Sequence, residues 1–265
     1  MFNSIRAKIE SKRYSTNSFW STVIRVKDKL ASSLKNKSET EASRLKKEMI
    51  FYGQFIVPNS IVFDIGANHG QKAKTFLKLG AKVIAVEPQL ECVQDLKKNL
   101  GSHKNITIIA KGCGETEQFK TMYISSDSDM TSTFSEDWQS SRFKDIVSWN
   151  QKREIELTTI EKLVEEFGVP DFCKIDVEGF EPEVIKGLKS KINVIGFEFA
   201  EESLVGCLAS LEILDQIGFK EFNFASDESF NFEFEKWQNM SEFKSYLKET
   251  CDVNRKEFWG DIYAR

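Results

Sequence analysis

Short apolar runs alternate with helix-length amphipathic segments along most of the chain, and this alternation constrains its fold more than any other feature. In the first half, the runs SIVFDIG, AKVIAVEP and NITIIAKG are separated by QKAKTFLKLG and QLECVQDLKKNLG. In the second half, runs within DFCKIDVEG, NVIGFEFAE and FKEFNFAS alternate with EPEVIKGLK and SLVGCLASLEILDQIG. This pattern predicts β-α-β units around a buried parallel sheet. We therefore expect an α/β fold with a doubly wound sheet.

The stretch from residue 115 to 150 interrupts this alternation. QFKTMYIS has the pattern of a short strand, but SSDSDMTSTFSEDWQSS is rich in Ser, Asp and Thr and predicts a loop. Regular structure resumes at TTIEKLVEEFG, where Thr158 and Glu161 predict a capping box. The segment EFWGDIYAR then predicts a closing strand.

The first fifty residues differ in charge from the rest of the chain. They hold 12 Lys and Arg against 5 Asp and Glu, a net +7, and the remainder holds 25 against 36, a net −11. We predict a basic helical extension over residues 1–50 and one large domain over residues 51–265. Within the extension, apolar residues recur near helical spacing. They are Trp20, Val23, Ile24, Leu30 and Leu34.

Three placements of residues 1–37 are compatible with this pattern. The segment can pack on the main domain, pack on a second subunit, or touch an anionic membrane surface. We expect a homo-oligomer with the segment on a partner subunit, because an exposed Phe19–Trp20 pair would promote aggregation.

Composition excludes several classes of protein. The sequence contains no run of about 18 apolar residues, so we predict no transmembrane helix. The first residues lack a signal-peptide pattern. The five cysteines are scattered without a C-x-x-C pair, and His69 and His103 are the only histidines. We therefore predict no disulfide framework, no metal site and a cytoplasmic location. The acidic main body also argues against nucleic acid as a substrate.

The segment VFDIGANHGQ follows the first predicted strand and resembles a nucleotide-binding loop. Gly66 and Gly70 permit a tight turn, but Asp64 stands where a dinucleotide fingerprint begins with glycine. An aspartate would repel a pyrophosphate and attract a cation. S-adenosylmethionine has a sulfonium and an α-ammonium but no phosphate, so Asp64 favours this cofactor. Glu87 ends the second strand 17 residues after Gly70, where an acid can accept hydrogen bonds from ribose hydroxyls.

The segment KIDVEGFE places three charged residues at the end of a predicted central strand. Lys174 and Asp176 lie on one face of the strand, and Glu178 follows in the turn. Charges buried there would be costly without partners. Two interpretations follow. Either the residues form a structural ion-paired network, or they hold and deprotonate the hydroxyl of an acceptor.

FDIGANHGQ and CKIDVEGFEPEVIKG together resemble the FkbM-type methyltransferases, a branch of the class I S-adenosylmethionine-dependent enzymes. The resemblance covers about residues 45–265. It implies a Rossmann-like sheet of seven strands and O-methylation of a sugar or natural-product hydroxyl. It also implies cofactor contacts from Asp64, Gly66, Asn68, Gly70 and Glu87, with Asp176 between cofactor and substrate. Related enzymes often have an acid near the adenine after the third strand, where this chain has Cys113.

The general base is predicted among four side chains. The candidates are Asp176, Glu178, Glu198 at the end of the next strand, and His69. We favour the acids slightly, because His69 lies in the cofactor turn, where shaping that turn is an alternative role for it. Ser132 and Thr133 either contact substrate or belong to a solvated loop.

Three other functions stay open at this stage. A nucleic-acid methyltransferase is disfavoured because IDVEGFE is not the proline- and aromatic-rich motif that commonly follows the fourth strand. A catalytically silent S-adenosylmethionine-binding subunit is disfavoured by the charged cluster. An NAD-dependent reductase is disfavoured by Asp64.

Overall fold

The apolar runs form strands and the amphipathic segments form helices, as the alternation predicts. The structure is a computed structural model that describes residues 41–125, 131–135, 147–226, 229–252 and 258–265. Its strands are β1 (Ile61–Ile65), β2 (Lys82–Val86), β3 (Ile106–Ile109), β4 (Gly112–Cys113), β5 (Phe119–Ser125), β6 (Trp149–Thr158), β7 (Phe172–Ile175), β8 (Ile195–Ala200), β9 (Phe222–Ser226) and β10 (Trp259–Ala264). Its α-helices are α1 (Glu41–Tyr52), α2 (Gln71–Lys78), α3 (Leu90–Leu100), α4 (Ile160–Phe167), α5 (Glu181–Lys186), α6 (Leu204–Gln216) and α7 (Met240–Asp252).

A seven-stranded sheet with the order β3-β2-β1-β7-β8-β10-β9 forms the centre of the described chain. The five neighbouring strands β3, β2, β1, β7 and β8 pair in parallel, and β10 runs antiparallel between β8 and β9. The seven-stranded Rossmann-like fold is thereby confirmed. The strand order reverses between β1 and β7. In sheets of this type, ligands bind at the carboxyl ends of the strands beside such a reversal.

The central strands are buried on both faces, which explains their nearly continuous apolar sequences. All four residues of β7 and all but the first of β1 and β2 are buried. Side chains alternate between the two faces, so Phe63 packs in one apolar cluster and its neighbour Val62 in the other. The second cluster includes Phe51 and Tyr52 from the end of α1. The sheet is therefore a rigid support for the loops at its edge.

A separate three-stranded sheet, β4-β6-β5, was not predicted. Sequence analysis identified β5 but missed β6, which carries the local signal of a half-exposed strand. Exposed Glu154 and Glu156 alternate with half-buried Ile155 and buried Leu157. The capping-box prediction was also wrong by one residue, because Thr158 belongs to β6. The hydroxyl of Thr159 instead accepts the hydrogen bond from the N–H of Lys162 at the start of α4.

The predicted extension over residues 1–50 lies largely outside the described residues, which begin with α1 at residue 41. The helix expected within residues 1–37 and its docking on a partner subunit therefore stay predictions. Among the helices that the structure describes, none combines the length and the apolar character needed to cross a bilayer.

Candidate active site

The two sequence motifs meet at the reversal of strand order. The N–H of Asp176, just after β7, donates to the carbonyl of Ile65 at the end of β1 (2.9 Å). Gly66 has φ +81°, and a Cβ built on it would lie 1.9 Å from the carbonyl oxygen of Asp176. Only glycine allows this approach, because any side chain would displace one of the two loops. Gly66 thus joins the cofactor motif to the charged motif.

Asp64 lies at the base of the first loop with an unsatisfied carboxylate oxygen. The side chain is 2% exposed, and Oδ2 has no hydrogen-bond partner among the described residues. Burial raises the pKa of Asp64 to about 7, although Lys72 and Lys174 oppose the rise. A buried acceptor without a donor is costly, so this oxygen suits a ligand that brings a positive charge. The α-ammonium of S-adenosylmethionine is such a group.

Glu87 holds the first two loops of the sheet together. Its Oε2 accepts from the N–H of Asn68 and its Oε1 from the N–H of Gln89, both at 2.8 Å. Asn68 has φ +49°, a left-handed conformation that asparagine tolerates better than most residues. These two bonds are fewer than the roughly four that a carboxylate can accept, so they are compatible with hydrogen bonds from ribose hydroxyls. Together with Asp64 and Gly66, this arrangement fits S-adenosylmethionine.

Gly70 and Cys113, predicted to bind the cofactor, and His69, predicted as a base, have different surroundings. Gly70, at φ +85°, is the residue before α2 and packs against α3. His69 is half-exposed, and its Nδ1 lies 2.8 Å from Oδ2 of Asp95 on α3. Cys113 is buried in the core, where burial raises the pKa of its thiol to about 12. The thiol is therefore neutral at physiological pH, and its contact with adenine stays a prediction.

Three of the predicted bases converge at the carboxyl ends of β7 and β8. One carboxylate oxygen each from Asp176, Glu178 and Glu198 lies within 4.8 Å of the others, and all three side chains are partly exposed. Carboxylates at this spacing can share a proton or a cation, and such acids are also common without an ion. The structure thus brings three predicted acids together beside the cofactor loop. The fourth candidate, His69, pairs with α3 instead.

Glu178 lies in a turn that hydrogen bonds with buried side chains stabilise. It adopts φ +54°. Oε1 of Glu181 accepts from the N–H groups of Val177 (3.0 Å) and Gly179 (3.4 Å). The hydroxyl of Thr133 donates to the carbonyl of Glu178 (3.0 Å). Thr133 is buried, so it orders this turn and is not part of a solvated loop. Sequence analysis missed Glu181, although it lies within the KIDVEGFE motif.

Lys174 faces the same side of the sheet as Asp176 but is only 1% exposed. Its Nζ lies 3.0 Å from Oδ1 of Asp261 on β10 and 3.9 Å from Oδ2 of Asp176. It also donates to the carbonyl of Ile175 (3.0 Å). Asp261 in turn accepts from the hydroxyl of Tyr263 at 3.2 Å. Asp261 had no sequence signal, because it lies on a different strand far along the chain.

Solved structures with a similar chain fold include several methyltransferases. Precorrin-6y C5,15-methyltransferase from Geobacter metallireducens GS-15 is 14% identical, with 82% of this chain and 86% of that chain covered and a TM-score of 0.43. An O-methyltransferase from Thermotoga maritima is 11% identical, with 89% and 70% covered and a TM-score of 0.38. Fibrillarin from Aeropyrum pernix, with natively bound S-adenosyl-L-methionine, is 11% identical, with 80% and 68% covered and a TM-score of 0.39.

Comparison at the level of sequence gives one clear result. No curated protein matches the chain. The family model described as the methyltransferase FkbM domain matches residues 64–249, which is more than two thirds of the chain. The match begins at Asp64 and includes the whole charged cluster around Asp176.

Proposed function

Because the chain belongs to the FkbM methyltransferase domain family, and so is an S-adenosylmethionine-dependent methyltransferase, we propose that it methylates a hydroxyl oxygen of a sugar, glycan or other natural product. One observation carries this proposal. The carboxylates of Asp176, Glu178 and Glu198 lie together beside the cofactor loop, at the place where an acceptor would meet the cofactor. A hydroxyl must lose its proton as it is methylated, and these carboxylates can accept it.

The cofactor-binding role falls to the residues of the first two loops. Asp64 would bind the α-ammonium and Glu87 the ribose, while Gly66, Asn68 and Gly70 give the loop its shape. S-adenosylmethionine, when bound, supplies an activated methyl group on a positively charged sulfur. Fixing the acceptor against it can contribute about 7–11 kcal/mol toward the barrier.

Asp176 is the strongest candidate for the base. Its backbone touches both Ile65 and Gly66, so it is the acid of the cluster most directly tied to the cofactor loop. Glu178 and Glu198 would hold other hydroxyls of the acceptor and fix its orientation. A positioned base contributes about 10²–10⁴-fold to the rate.

The charge of the cluster favours a neutral acceptor. Three carboxylates face the site, and the nearby ammonium of Lys174 is already 3.0 Å from Asp261. A phosphate group would be repelled there, which argues against nucleic acid and sugar phosphates. A polyol can donate several hydrogen bonds to carboxylates.

The experiment is methyl transfer from labelled S-adenosylmethionine to a panel of neutral sugars and glycans, sugar phosphates, RNA and DNA. We expect label in at least one neutral hydroxyl compound, and none when Asp176→Asn replaces the wild type. Label only in nucleic acid or phosphorylated acceptors would refute the proposed acceptor class. Binding of S-adenosylhomocysteine without transfer to any acceptor would favour a silent cofactor-binding subunit.

A cytoplasmic location is also proposed. None of the five cysteines forms a disulfide with another described residue, and four of them are buried. Buried cysteines without disulfides are typical of a reducing compartment. Fractionation of cells that produce the protein tests this.

A further inference from the structure

A buried ion pair connects the closing strand β10 to the charged motif on β7. Lys174 is 1% exposed and lies 3.0 Å from Asp261, whose side chain is 21% exposed. The same ammonium lies 3.9 Å from Asp176, whose side chain is 37% exposed. The exposure of the three side chains therefore increases from Lys174 through Asp261 to Asp176.

The geometry divides the ammonium unequally between the two aspartates. A distance of 3.0 Å to Asp261 is a direct charge-assisted hydrogen bond, whereas 3.9 Å to Asp176 is a looser contact. Asp261 is itself fixed by the hydroxyl of Tyr263 at 3.2 Å. Gly196 on β8 makes room for that tyrosine, because a Cβ there would lie 2.8 Å from its ring. The neighbouring strands thus hold Asp261 in place.

We propose that Asp261 is a positioning residue for methyl transfer: it holds the ammonium of Lys174 back from Asp176, so that Asp176 is a stronger base toward the acceptor hydroxyl. The inference rests on the proposed function, in which Asp176 is the base. In this proposal Lys174 acts on the reaction only through Asp176. Its side chain is 1% exposed, so its ammonium is too deeply buried to contact the acceptor.

Charges from several elements surround this pair. Burial alone would lower the pKa of Lys174, but Asp261, Asp176 and Glu198 raise it above its usual value. Asp176 lies near Lys174, the other two acids of the cluster, and the buried carboxyls of Asp64 and Glu181. Burial raises the pKa of Asp64 and of Glu181 to about 7, so each is only partly ionised at neutral pH. Lys174 contributes a positive charge 3.9 Å from the carboxylate of Asp176.

Removal of the Asp261 charge has a defined consequence. In Asp261→Asn the ammonium loses its closest carboxylate, and Asp176 becomes its main counter-ion. An opposite charge that moves closer favours the ionised acid and makes it a weaker base. The titration midpoint of Asp176 should then move to lower pH by about one pH unit or more. Turnover should fall about tenfold, with S-adenosylhomocysteine affinity within about threefold.

The test is carbon NMR titration of the aspartate carboxyls in the full chain, with the Asp176 signal assigned from Asp176→Asn. Asp215→Asn is the matched control, because it breaks an exposed Lys–Asp pair with Lys220 (2.9 Å) away from the site. An Asp176 midpoint that moves down in Asp261→Asn but not in Asp215→Asn supports the proposal. An unchanged midpoint, or lowered stability alone, overturns it.

A second variant covers the case in which Asp261→Asn does not fold. The double change Lys174→Met with Asp261→Asn removes both charges and avoids an unpaired buried ion. Asp176 then loses the ammonium of Lys174, so its titration midpoint should move to higher pH, opposite to the single variant. No movement would overturn the proposal. Because NMR needs no acceptor, this failure is distinct from a wild type that methylates no hydroxyl.

Discussion

Asp64→Asn should stabilise the protein without ligand and weaken its binding of cofactor. The side chain of Asp64 is buried with one oxygen unsatisfied, and burial raises its pKa from 3.8 to about 7. Asparagine has nearly the same shape and no charge. The substitution therefore removes the cost of ionising a buried acid, and it also removes the group that we expect to bind the α-ammonium.

The magnitude follows from the pKa of Asp64. At about 1.4 kcal/mol per pKa unit, the rise from 3.8 to about 7 corresponds to about 4 kcal/mol at high pH. Since the folded form holds its proton more tightly than the unfolded form, this acid reduces stability progressively as pH rises from about 4 to about 7. Between pH 5 and pH 8 the wild type should lose roughly 2–3 kcal/mol that Asp64→Asn retains.

Urea unfolding of both proteins at pH 5 and pH 8 measures this difference, with Asp215→Asn as the control at an exposed position. Calorimetry with S-adenosylhomocysteine gives the second part. Wild-type affinity should rise about tenfold from pH 6 to pH 8 as Asp64 ionises, and the affinity of Asp64→Asn should be weaker and nearly independent of pH. A stability difference that is the same at both pH values would refute the electrostatic reasoning. Unchanged affinity in the variant would refute the binding role.

Three further predictions concern cofactor, catalysis and the extension. Glu87→Ala should weaken S-adenosylhomocysteine binding about tenfold or more in calorimetry. The substitution removes the acceptor for the N–H of Asn68 and the carboxylate that we expect to bind the ribose. Binding of NADH to the wild type in place of S-adenosylhomocysteine would contradict this prediction. Asp176→Asn and Glu178→Gln should lose turnover while cofactor affinity stays within about tenfold, and full activity in both would point to His69 or Glu198. Deletion of residues 1–37 should change the mass in light scattering or the solubility, with the cofactor site intact. An unchanged mass and unchanged stability would mean that the segment docks nowhere.

The parts of the candidate site that could be predicted from the sequence are those encoded within short segments. Asp64, Gly66 and Glu87 lie at the ends of β1 and β2, and the alternation of strands and helices predicts where those ends meet. The acids of KIDVEGFE were predicted as candidates for the same reason. Glu198 was predicted as a candidate because it lies toward the end of the next strand.

The parts that were missed depend on contacts between distant strands. Asp261 pairs with Lys174 only because β10 inserts antiparallel beside β8, and no local pattern predicts this position. Sequence analysis allowed either an ion-paired network or an acceptor contact for Lys174. The structure contains the ion pair, and its partner could not be named without the strand order. Thr133 was ambiguous for a similar reason, since its bond to Glu178 joins residues 45 positions apart.

The place of β10 between β8 and β9 also affects how the protein can form during synthesis. β9 leaves the ribosome first but pairs within the main sheet only with β10, so it has no strand partner there until residues 259–264 emerge. The nascent chain can assemble β1, β2, β3, β7 and β8 and still lack Asp261, the carboxylate that pairs with Lys174 at 3.0 Å. Non-local pairing of this kind is slow and leaves strand edges open to other chains. Ribosome-bound chains arrested before β10 should therefore bind chaperones, and catalytic competence should appear only after the last strand has inserted.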